Sequence, residues 1–167
     1  MNLQSLRRFT PALAVLVIAL VLFALPRLDS LFFAGARYEQ CSRLVSTDAA
    51  KALAFARVWR ASRPDSPMAR HCEAIALFAT KDYLHSAGAF LALANETDPA
   101  NTSLSAQLLQ QAAKAYEAAG KLNEAGAAAA KAQILAPGNK DINDLVAEIT
   151  RERANFAPEQ PVSGRRR

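Results

Sequence analysis

The side chains able to take part in catalysis or metal binding are few and scattered. Among 167 residues there are two cysteines, Cys41 and Cys72, and two histidines, His71 and His85. The cysteines lack the Cys-x-x-Cys spacing of redox enzymes, so they form either a disulfide or two free core thiols. His71 adjoins Cys72, but neighbouring side chains on a helix point about 100° apart, and zinc needs further ligands that no second cluster supplies. The sequence therefore predicts no metal site.

Motifs for other chemistry are also missing from the sequence. There is no haem-attachment motif, no glycine-rich phosphate-binding loop and no nucleophile elbow. The pairs Asp141/Asp144 and Glu148/Glu152 have helical spacing, but carboxylates on a polar helix face are more typical of solvated charge than of an acid–base couple. We therefore expect a protein that is not an enzyme and that binds no cofactor.

The stretch from Ala106 to Asn139 shows how the chain is organised. Apolar residues recur at helical spacing up to Tyr116, and Gly120 then ends that helix because glycine readily adopts a left-handed conformation. A second apolar stripe follows until Pro137 and Gly138 stop it. The connection is so short that the two helices must be antiparallel neighbours, and their alanine-rich faces allow close packing. The two stripes consist of Leu109, Ala112, Ala113 and Tyr116, and of Leu122, Ala125, Ala129, Ala132 and Leu135.

This pattern resembles the tetratricopeptide repeat (TPR), a helix–turn–helix unit of about 34 residues. Ala129 departs from the family pattern, which has a large aromatic residue at that position. The resemblance implies a protein-binding scaffold. One such hairpin buries too little apolar area to be stable alone, so further helix pairs are expected beside it. The residues that define the repeat are Leu109, Ala113, Tyr116, Gly120, Ala125, Ala132 and Pro137.

Weaker copies of the pattern precede this repeat. Helices are expected over 37–45, from 48 to about 61, from 67 to about 80, and over 83–94. A proline follows each second helix, and these prolines recur at intervals close to one repeat; they are Pro64, Pro99 and Pro137. Abundant alanine and sparse β-branched residues agree with an all-α fold. We predict a short TPR-like α-solenoid of about three helix pairs over residues 37–156, in which the last helix, over 140–156, caps the array.

By the geometry of the family, the first helix of the best repeat lines a concave groove. The resemblance places four polar side chains of mixed charge in this groove, where they would form hydrogen bonds with an extended or helical segment. It therefore implies a protein or peptide partner. The four groove residues are Gln107, Gln110, Lys114 and Glu117.

The two cysteines fall in the first helices of successive pairs, and such helices are neighbours in a stacked array. A disulfide between Cys41 and Cys72 is therefore favoured over two free core thiols, and an oxidising compartment permits it. Two short stretches around these cysteines also resemble those that frame the first repeat in membrane-anchored periplasmic TPR proteins of alphaproteobacteria. They read Tyr38-Glu39-Gln40-Cys41 and Arg70-His71-Cys72-Glu73-Ala74.

A long apolar run lies near the N-terminus. Residues 11–26 contain no polar side chain. With Phe9 included, the run is about 18 residues, or roughly 27 Å as a helix, which is close to the thickness of the hydrocarbon core of a membrane. We therefore expect the protein to contact a lipid bilayer through residues 11–26. A core helix is a poorer interpretation, because the run is apolar on every face and the domain is small.

The charges beside this run predict its orientation. Arg7 and Arg8 precede it, and basic residues favour the cytoplasmic side of a membrane. We expect residues 1–10 to lie in the cytoplasm, residues 11–33 to form a single-pass transmembrane signal anchor in a bacterial inner membrane, and the rest to be periplasmic. The alternative is a secretory signal peptide cleaved after residues 34–36, where small side chains occur.

The net charge of +5 comes from the two ends of the chain. Residues 1–36 contribute +2 and residues 165–167 contribute +3, which leaves 14 basic and 14 acidic side chains in residues 37–164. A neutral folded part lacks the basic footprint of nucleic-acid binding, so no nucleic-acid partner is expected. Residues 157–167 contain prolines, Gly164 and three arginines without an apolar run, and we expect them to form a disordered basic tail.

These patterns favour a membrane-anchored scaffold that binds a protein or peptide in the periplasm. The alternative hypothesis is a structural or assembly subunit of an inner-membrane complex. Such a subunit would act through lateral contacts of its transmembrane helix. The two hypotheses differ in which part of the chain makes the functional contact.

Overall fold

The computed structural model describes residues 34–156, all of which are helical or lie in short connections. The chain divides into two compact units, Met1–Gln40 and Cys41–Arg167. The described part of the first unit, 34–40, is helical. The predicted anchor over 11–33 and the predicted tail over 157–167 lie outside the described residues. The helices are α1 (34–47), α2 (Ala49–Ser62), α3 (Pro67–Ala79), α4 (Tyr83–Glu96), α5 (Thr102–Ala118), α6 (Leu122–Leu135) and α7 (Lys140–Phe156).

Polar residues fix the starts of four helices, one of which is α7, where the Asn139 side chain accepts from the N–H of Ile142 at 3.2 Å. The Asp48 carboxylate accepts a hydrogen bond of 3.0 Å from the backbone N–H of Lys51 and begins α2. The Ser66 hydroxyl caps α3, whose first residue is a proline. The Asn101 side chain caps α5 by accepting from the N–H of Leu104 at 3.2 Å. Each cap satisfies a backbone donor that has no partner within the helix, so the local sequence sets these boundaries.

Each helix from α2 to α7 packs against the next one along the chain, and α5 also touches α7. The buried positions of α5 and α6 are mostly alanine, which lets the two backbones approach closely. Large fully buried side chains are few in the described residues, and Phe90, Ile142 and Ile149 are the most voluminous of them. Among residues 34–156, no helix combines the length and the apolar character needed to cross a membrane.

The hairpins α3–α4 and α5–α6 are copies related by the shift in sequence that takes Tyr83 to Leu122, the first residues of their second helices. Each second helix starts two residues after a left-handed residue, Lys81 with φ of 65° and Gly120 with φ of 71°. The shift pairs Phe90 with Ala129. The large aromatic residue that the family pattern has at this position, and that the α5–α6 hairpin replaces with Ala129, is therefore present in the preceding hairpin, where it is buried.

Replacing Gly120 by alanine is expected to lower the free energy of unfolding by about 1 kcal/mol, because a Cβ disfavours a φ of 71°. An added Cβ meets no atom within 4 Å, so the cost comes from the backbone conformation alone. Gly88, inside α4, is the matched control. Its replacement by alanine also meets no atom and should raise the free energy of unfolding by about 0.5–1 kcal/mol. Urea unfolding of the full-length protein measures both changes, and changes of the same sign would contradict this account.

Candidate functional site

Cys41 and Cys72 form a disulfide, which confirms the predicted bond. It joins α1 to α3 with a Cα–Cα distance of 6.0 Å, and both residues are fully buried. Because the sequence contains only these two cysteines, neither supplies a thiol for nucleophilic or redox chemistry. The bond therefore has a structural role.

His71 lies on α3, and its side chain contacts α4 and α5. Its Nε2 atom lies 3.1 Å from the Oε1 atom of Gln111, and its ring makes an edge contact with Phe90 at a centroid distance of 5.5 Å. Burial lowers the pKa of the His71 imidazole, while the hydrogen bond to Gln111 partly opposes this shift. The ring is therefore neutral at neutral pH. Cys72 is held in the disulfide, so the adjacent His71 and Cys72 do not form a metal pair.

Three helices, α3, α5 and α7, lie side by side and form a surface that we call the inner face. The contact between His71 and Gln111 joins α3 to α5 on this face. A group of three glutamates joins α5 to α7, since their carboxylate oxygens lie within 4.8 Å of one another. We call this group the carboxylate cluster, and it consists of Glu117 from α5 and Glu148 and Glu152 from α7.

The four predicted groove residues follow one another at helical spacing along α5, so they share one side of that helix. Gln107 and Lys114 are exposed, whereas Gln110 and Glu117 are half-buried. Of the four, the structure brings Glu117 into a group with two other carboxylates, and the charge of Lys114 also acts on Glu117. Of the repeat-defining residues, Ala113, Ala125 and Ala132 are completely buried, Leu109 is 6% exposed, Tyr116 is half-buried, Gly120 occupies the turn and Pro137 is exposed.

The environment of Glu117 is unfavourable for its negative charge. Its Oε1 atom is buried and has no hydrogen-bond partner. Burial raises the pKa of the Glu117 carboxyl, and the charges of Glu148 and Glu152 raise it further, while Lys114 opposes them. The sequence interpretation of Glu148 and Glu152 as solvated charges missed this arrangement. Their spacing shows that they share a face of α7, but only the packing of α7 on α5 brings them to Glu117.

An open cleft of about 1070 Å³ lies next to the carboxylate cluster. The end of α5, the start of α6 and the last turns of α7 form its walls. Its lining is mixed in character and includes the acidic Glu117, Glu124 and Glu152, the basic Lys121 and Arg153, and the apolar Leu122 and Phe156. Phe156 is 78% exposed at the end of α7. The cleft is therefore open to a large partner and does not enclose a small molecule.

A smaller cleft of about 450 Å³ lies between α2, α3 and α4 and contains three arginines. Two of them already have partners, because Arg60 is 2.5 Å from Glu73 and Arg70 makes a two-armed ion pair with Glu96. Glu96 holds the pKa of the Arg70 guanidinium above its usual range. Since two of the three arginines are neutralised within the protein, the inner face is the stronger candidate for binding.

Replacing Glu117 by glutamine is expected to stabilise the protein by about 0.5 kcal/mol at pH 7, a value discounted for solvent screening. A raised pKa means that the folded state binds more protons than the unfolded state. The contribution of Glu117 to stability therefore decreases as the pH rises above the ordinary pKa of a glutamate carboxyl. The charged groups that act on Glu117 are Lys114 of its own helix and Glu148 and Glu152 of α7. The stabilisation should therefore disappear near pH 4, where the carboxyl is protonated.

Glu124→Gln is the matched control for this pH effect. Glu124 is exposed in the first turn of α6, where a negative charge is favourable, so its removal should destabilise the protein by about 0.3–1 kcal/mol at pH 7. Urea unfolding at both pH values provides the comparison. An effect of Glu117→Gln that is equal at pH 4 and pH 7 would show that the negative charge of Glu117 in the carboxylate cluster does not destabilise the protein.

Comparison with known proteins identifies the fold. Neither a scan against protein-family models nor a search of curated proteins finds a match. Among solved structures, the NMR structure of the first TPR domain of the human RPAP3 protein is similar, with a TM-score of 0.61 and 19% sequence identity. The similarity covers 73% of this chain and 93% of that one. The chain thus has a TPR-like helical-repeat fold, as the pattern between residues 106 and 139 predicts.

Proposed function

We propose that the protein is a scaffold that binds a protein or peptide segment on its inner face. The observation that carries this proposal is the open surface of α3, α5 and α7, which combines exposed polar groups with an unneutralised carboxylate cluster. The groups that could do chemistry are engaged elsewhere, the cysteines in a disulfide and His71 between Gln111 and Phe90. Binding is therefore the function that this site supports best.

The cellular location is part of the same proposal. The apolar residues 11–26, preceded by Arg7 and Arg8, favour a single-pass anchor in a bacterial inner membrane. The disulfide between Cys41 and Cys72 agrees with a helical domain on the periplasmic side, where such bonds form and persist. A membrane tether would hold the inner face close to partners at the membrane. Attaching a topology reporter to the C-terminus tests this location, and reporter activity in the cytoplasm would exclude it.

Site-specific photo-crosslinking in cells of the source organism tests the binding function. A photoreactive amino acid placed at Gln107, on the inner face, should form a discrete adduct with a partner protein. The same amino acid at Lys131, an exposed position on α6 outside that face, is the matched control and should not form that adduct. Absence of any adduct at Gln107, or the same adduct at both positions, would contradict binding on the inner face.

The alternative function is that of an assembly subunit that acts through its anchor, which the apolar run itself favours. Replacing residues 12–25 by an unrelated apolar helix of equal length separates the two. Retained function would support the inner face as the binding surface. Lost function, with unchanged membrane insertion, would support lateral contacts of the anchor.

A further inference from the structure

The sequence offset between the α3–α4 and α5–α6 hairpins shows which residues of α3 lie on the inner face. The same shift that takes Tyr83 to Leu122 aligns Gln107 with Met68, Lys114 with Ile75, and Glu117 with Phe78. Two of these α3 residues present apolar surface to solvent, since Met68 is 43% exposed and Phe78 is 37% exposed. Apart from His71, which aligns with Gln110, the inner face is therefore apolar along α3 and polar along α5, a division that the pattern of a single repeat does not predict.

The apolar part is held in place by the fold. The ring of Phe78 makes an edge contact with Tyr83, the first residue of α4, at a centroid distance of 5.2 Å. Because the Phe78 ring already has a neighbour that fixes its orientation, a ligand that covers it does not need to order it. Aromatic groups that are ordered before binding are typical anchor points for a partner.

On the opposite part of the inner face, the carboxylate cluster has no cation in direct contact within residues 34–156, although Lys121 and Arg153 also line the adjacent cleft. The carboxylate cluster has three negative groups, and Lys114 is the cation that acts on Glu117. In the described residues none of the three carboxylates takes part in an ion pair. The Oε1 atom of Glu117 is shielded from solvent and accepts no hydrogen bond. A guanidinium or ammonium group at this position would supply the missing donor and reduce the repulsion.

We propose that the inner face binds a protein segment in which an apolar side chain lies a few residues from arginine or lysine. The apolar side chain covers Phe78 at the end of α3, and the cation binds the carboxylate cluster between α5 and α7. Met68 lies ten residues before Phe78, about 15 Å along the helix, and extends the apolar surface. This inference rests on the proposed scaffold function and adds the chemistry of the partner. A segment with acidic groups is disfavoured because it would face carboxylates.

The dimensions of the face suit one short segment. Packed helices are about 8–10 Å apart, so the distance across the face from α3 to the seam between α5 and α7 is roughly 12–15 Å. An extended chain covers this distance in about four or five residues, at about 3.3 Å per residue. Phe78 and Glu117 are equivalent positions near the ends of their helices, so the two contacts lie at a similar level across the face.

Selection from a random twelve-residue peptide library displayed on phage tests this chemistry, with the full-length protein as bait. We expect the selected peptides to contain arginine or lysine four or five positions from leucine, phenylalanine or methionine. Synthetic versions of the selected peptides are then compared with versions in which each cation is replaced by glutamine. The cation should strengthen binding by about tenfold, the equivalent of two or three partly exposed ion pairs.

Two variants of the bait separate the two contacts. In Glu117→Gln/Glu148→Gln/Glu152→Gln, the tenfold preference for the cation should disappear, while the preference for the apolar residue remains. In Met68→Ser/Phe78→Ser, the apolar preference should disappear, while the cation preference remains. Circular dichroism of each variant provides the control for folding, and the exposure of the changed side chains makes loss of the fold unexpected for Met68 and Phe78.

Three results would overturn the inference. The first is a selection without basic residues, or one that favours acidic residues. The second is a cation preference that survives removal of the carboxylate cluster. The third is basic selection only after residues 165–167 are replaced by serine, which would identify the arginines of this chain as the occupant. An adduct at Gln107 together with any of these results leaves the scaffold function intact, whereas absence of both the adduct and peptide selection removes both proposals.

Discussion

Replacing Phe90 by alanine is expected to lower the free energy of unfolding by about 4 kcal/mol, the largest effect of any single substitution considered. Phe90 is 2% exposed and belongs to the hydrophobic cluster that extends from Ala74 of α3 to Ile149 of α7. The loss combines the favourable free energy of burying the phenyl ring, which the variant no longer gains, with the cost of the cavity left in the folded state.

The surroundings of Phe90 make this cavity difficult to close. Many of its neighbours in the cluster are alanines, which have no side-chain torsions with which to fill the space. The ring of His71 would also lose its contact with Phe90 and would be held only by its hydrogen bond to Gln111 of α5 and its remaining neighbours. The equivalent position, Ala129, is fully buried in a hairpin that has packed around a small side chain. Alanine is therefore tolerated at 129 but not at 90.

Phe78→Ala is the matched control for this substitution. Phe78 is 37% exposed, and its main ring contact is with Tyr83, so its removal should cost about 1 kcal/mol or less. Urea unfolding of the full-length protein, followed by circular dichroism, gives both values. Equal losses for the two variants would show that Phe90 does not support the core. A small loss at Phe78 would also leave that position available for the peptide-binding test.

The hairpin of α5 and α6 could be predicted closely from the sequence because local rules determine it. Gly120 marks the left-handed turn, alanines mark the buried stripes, and Pro137 follows the end of α6. The start of α5 at Thr102 precedes the predicted repeat because Asn101 caps the helix at that point. The cap lies outside the repeat pattern, so the pattern alone does not detect it.

The register of the α3–α4 hairpin was harder to predict. The prolines suggest a repeat that is slightly too short, because Pro99 and Pro137 are closer in sequence than the equivalent residues Tyr83 and Leu122. The difference arises in the connection between α4 and α5, where Asp98 and Asn101 form turns and caps. The turn before α4 falls between the predicted helices 67–80 and 83–94, although a lysine with φ of 65° at position 81 carries no sequence signature of a left-handed residue.

The carboxylate cluster could not be predicted, because it depends on tertiary packing. The sequence shows that Glu148 and Glu152 lie one turn apart and that Glu117 lies on the groove side of α5. Which face of α7 meets α5 depends on how Ile142, Leu145 and Ile149 fit against the core. The distances between the carboxylates of α5 and α7 therefore do not follow from the spacing of residues in the sequence. Functional sites that are formed between repeats are therefore less predictable than the repeats themselves.

Removal of the disulfide is expected to lower the free energy of unfolding by about 3–4 kcal/mol on the chain-entropy model. The bond connects residues separated by 31 positions, so its loss greatly increases the freedom of the unfolded chain. It also holds α1 against α3 at the start of the array. The buried side chains of α2, which are Ala52, Ala56 and Trp59, lie outside the cluster that extends from α3 to α7.

A comparison of the variants Cys41→Ala, Cys72→Ala and the double replacement tests whether the bond carries this stability. Either single variant breaks the bond, so each should lose about 3–4 kcal/mol, and the double variant should lose little more. Additive losses would mean that the two side chains contribute by packing alone. Wild-type protein unfolded in the presence of a reductant should be about as stable as the single variants, because it also lacks the bond. Its buried sulfurs at Cys41 and Cys72 remain, so this comparison separates the loss of the bond from the loss of side-chain volume. A reduced protein as stable as the oxidised one would show that the contacts of α2 with α3 suffice to hold this end of the array.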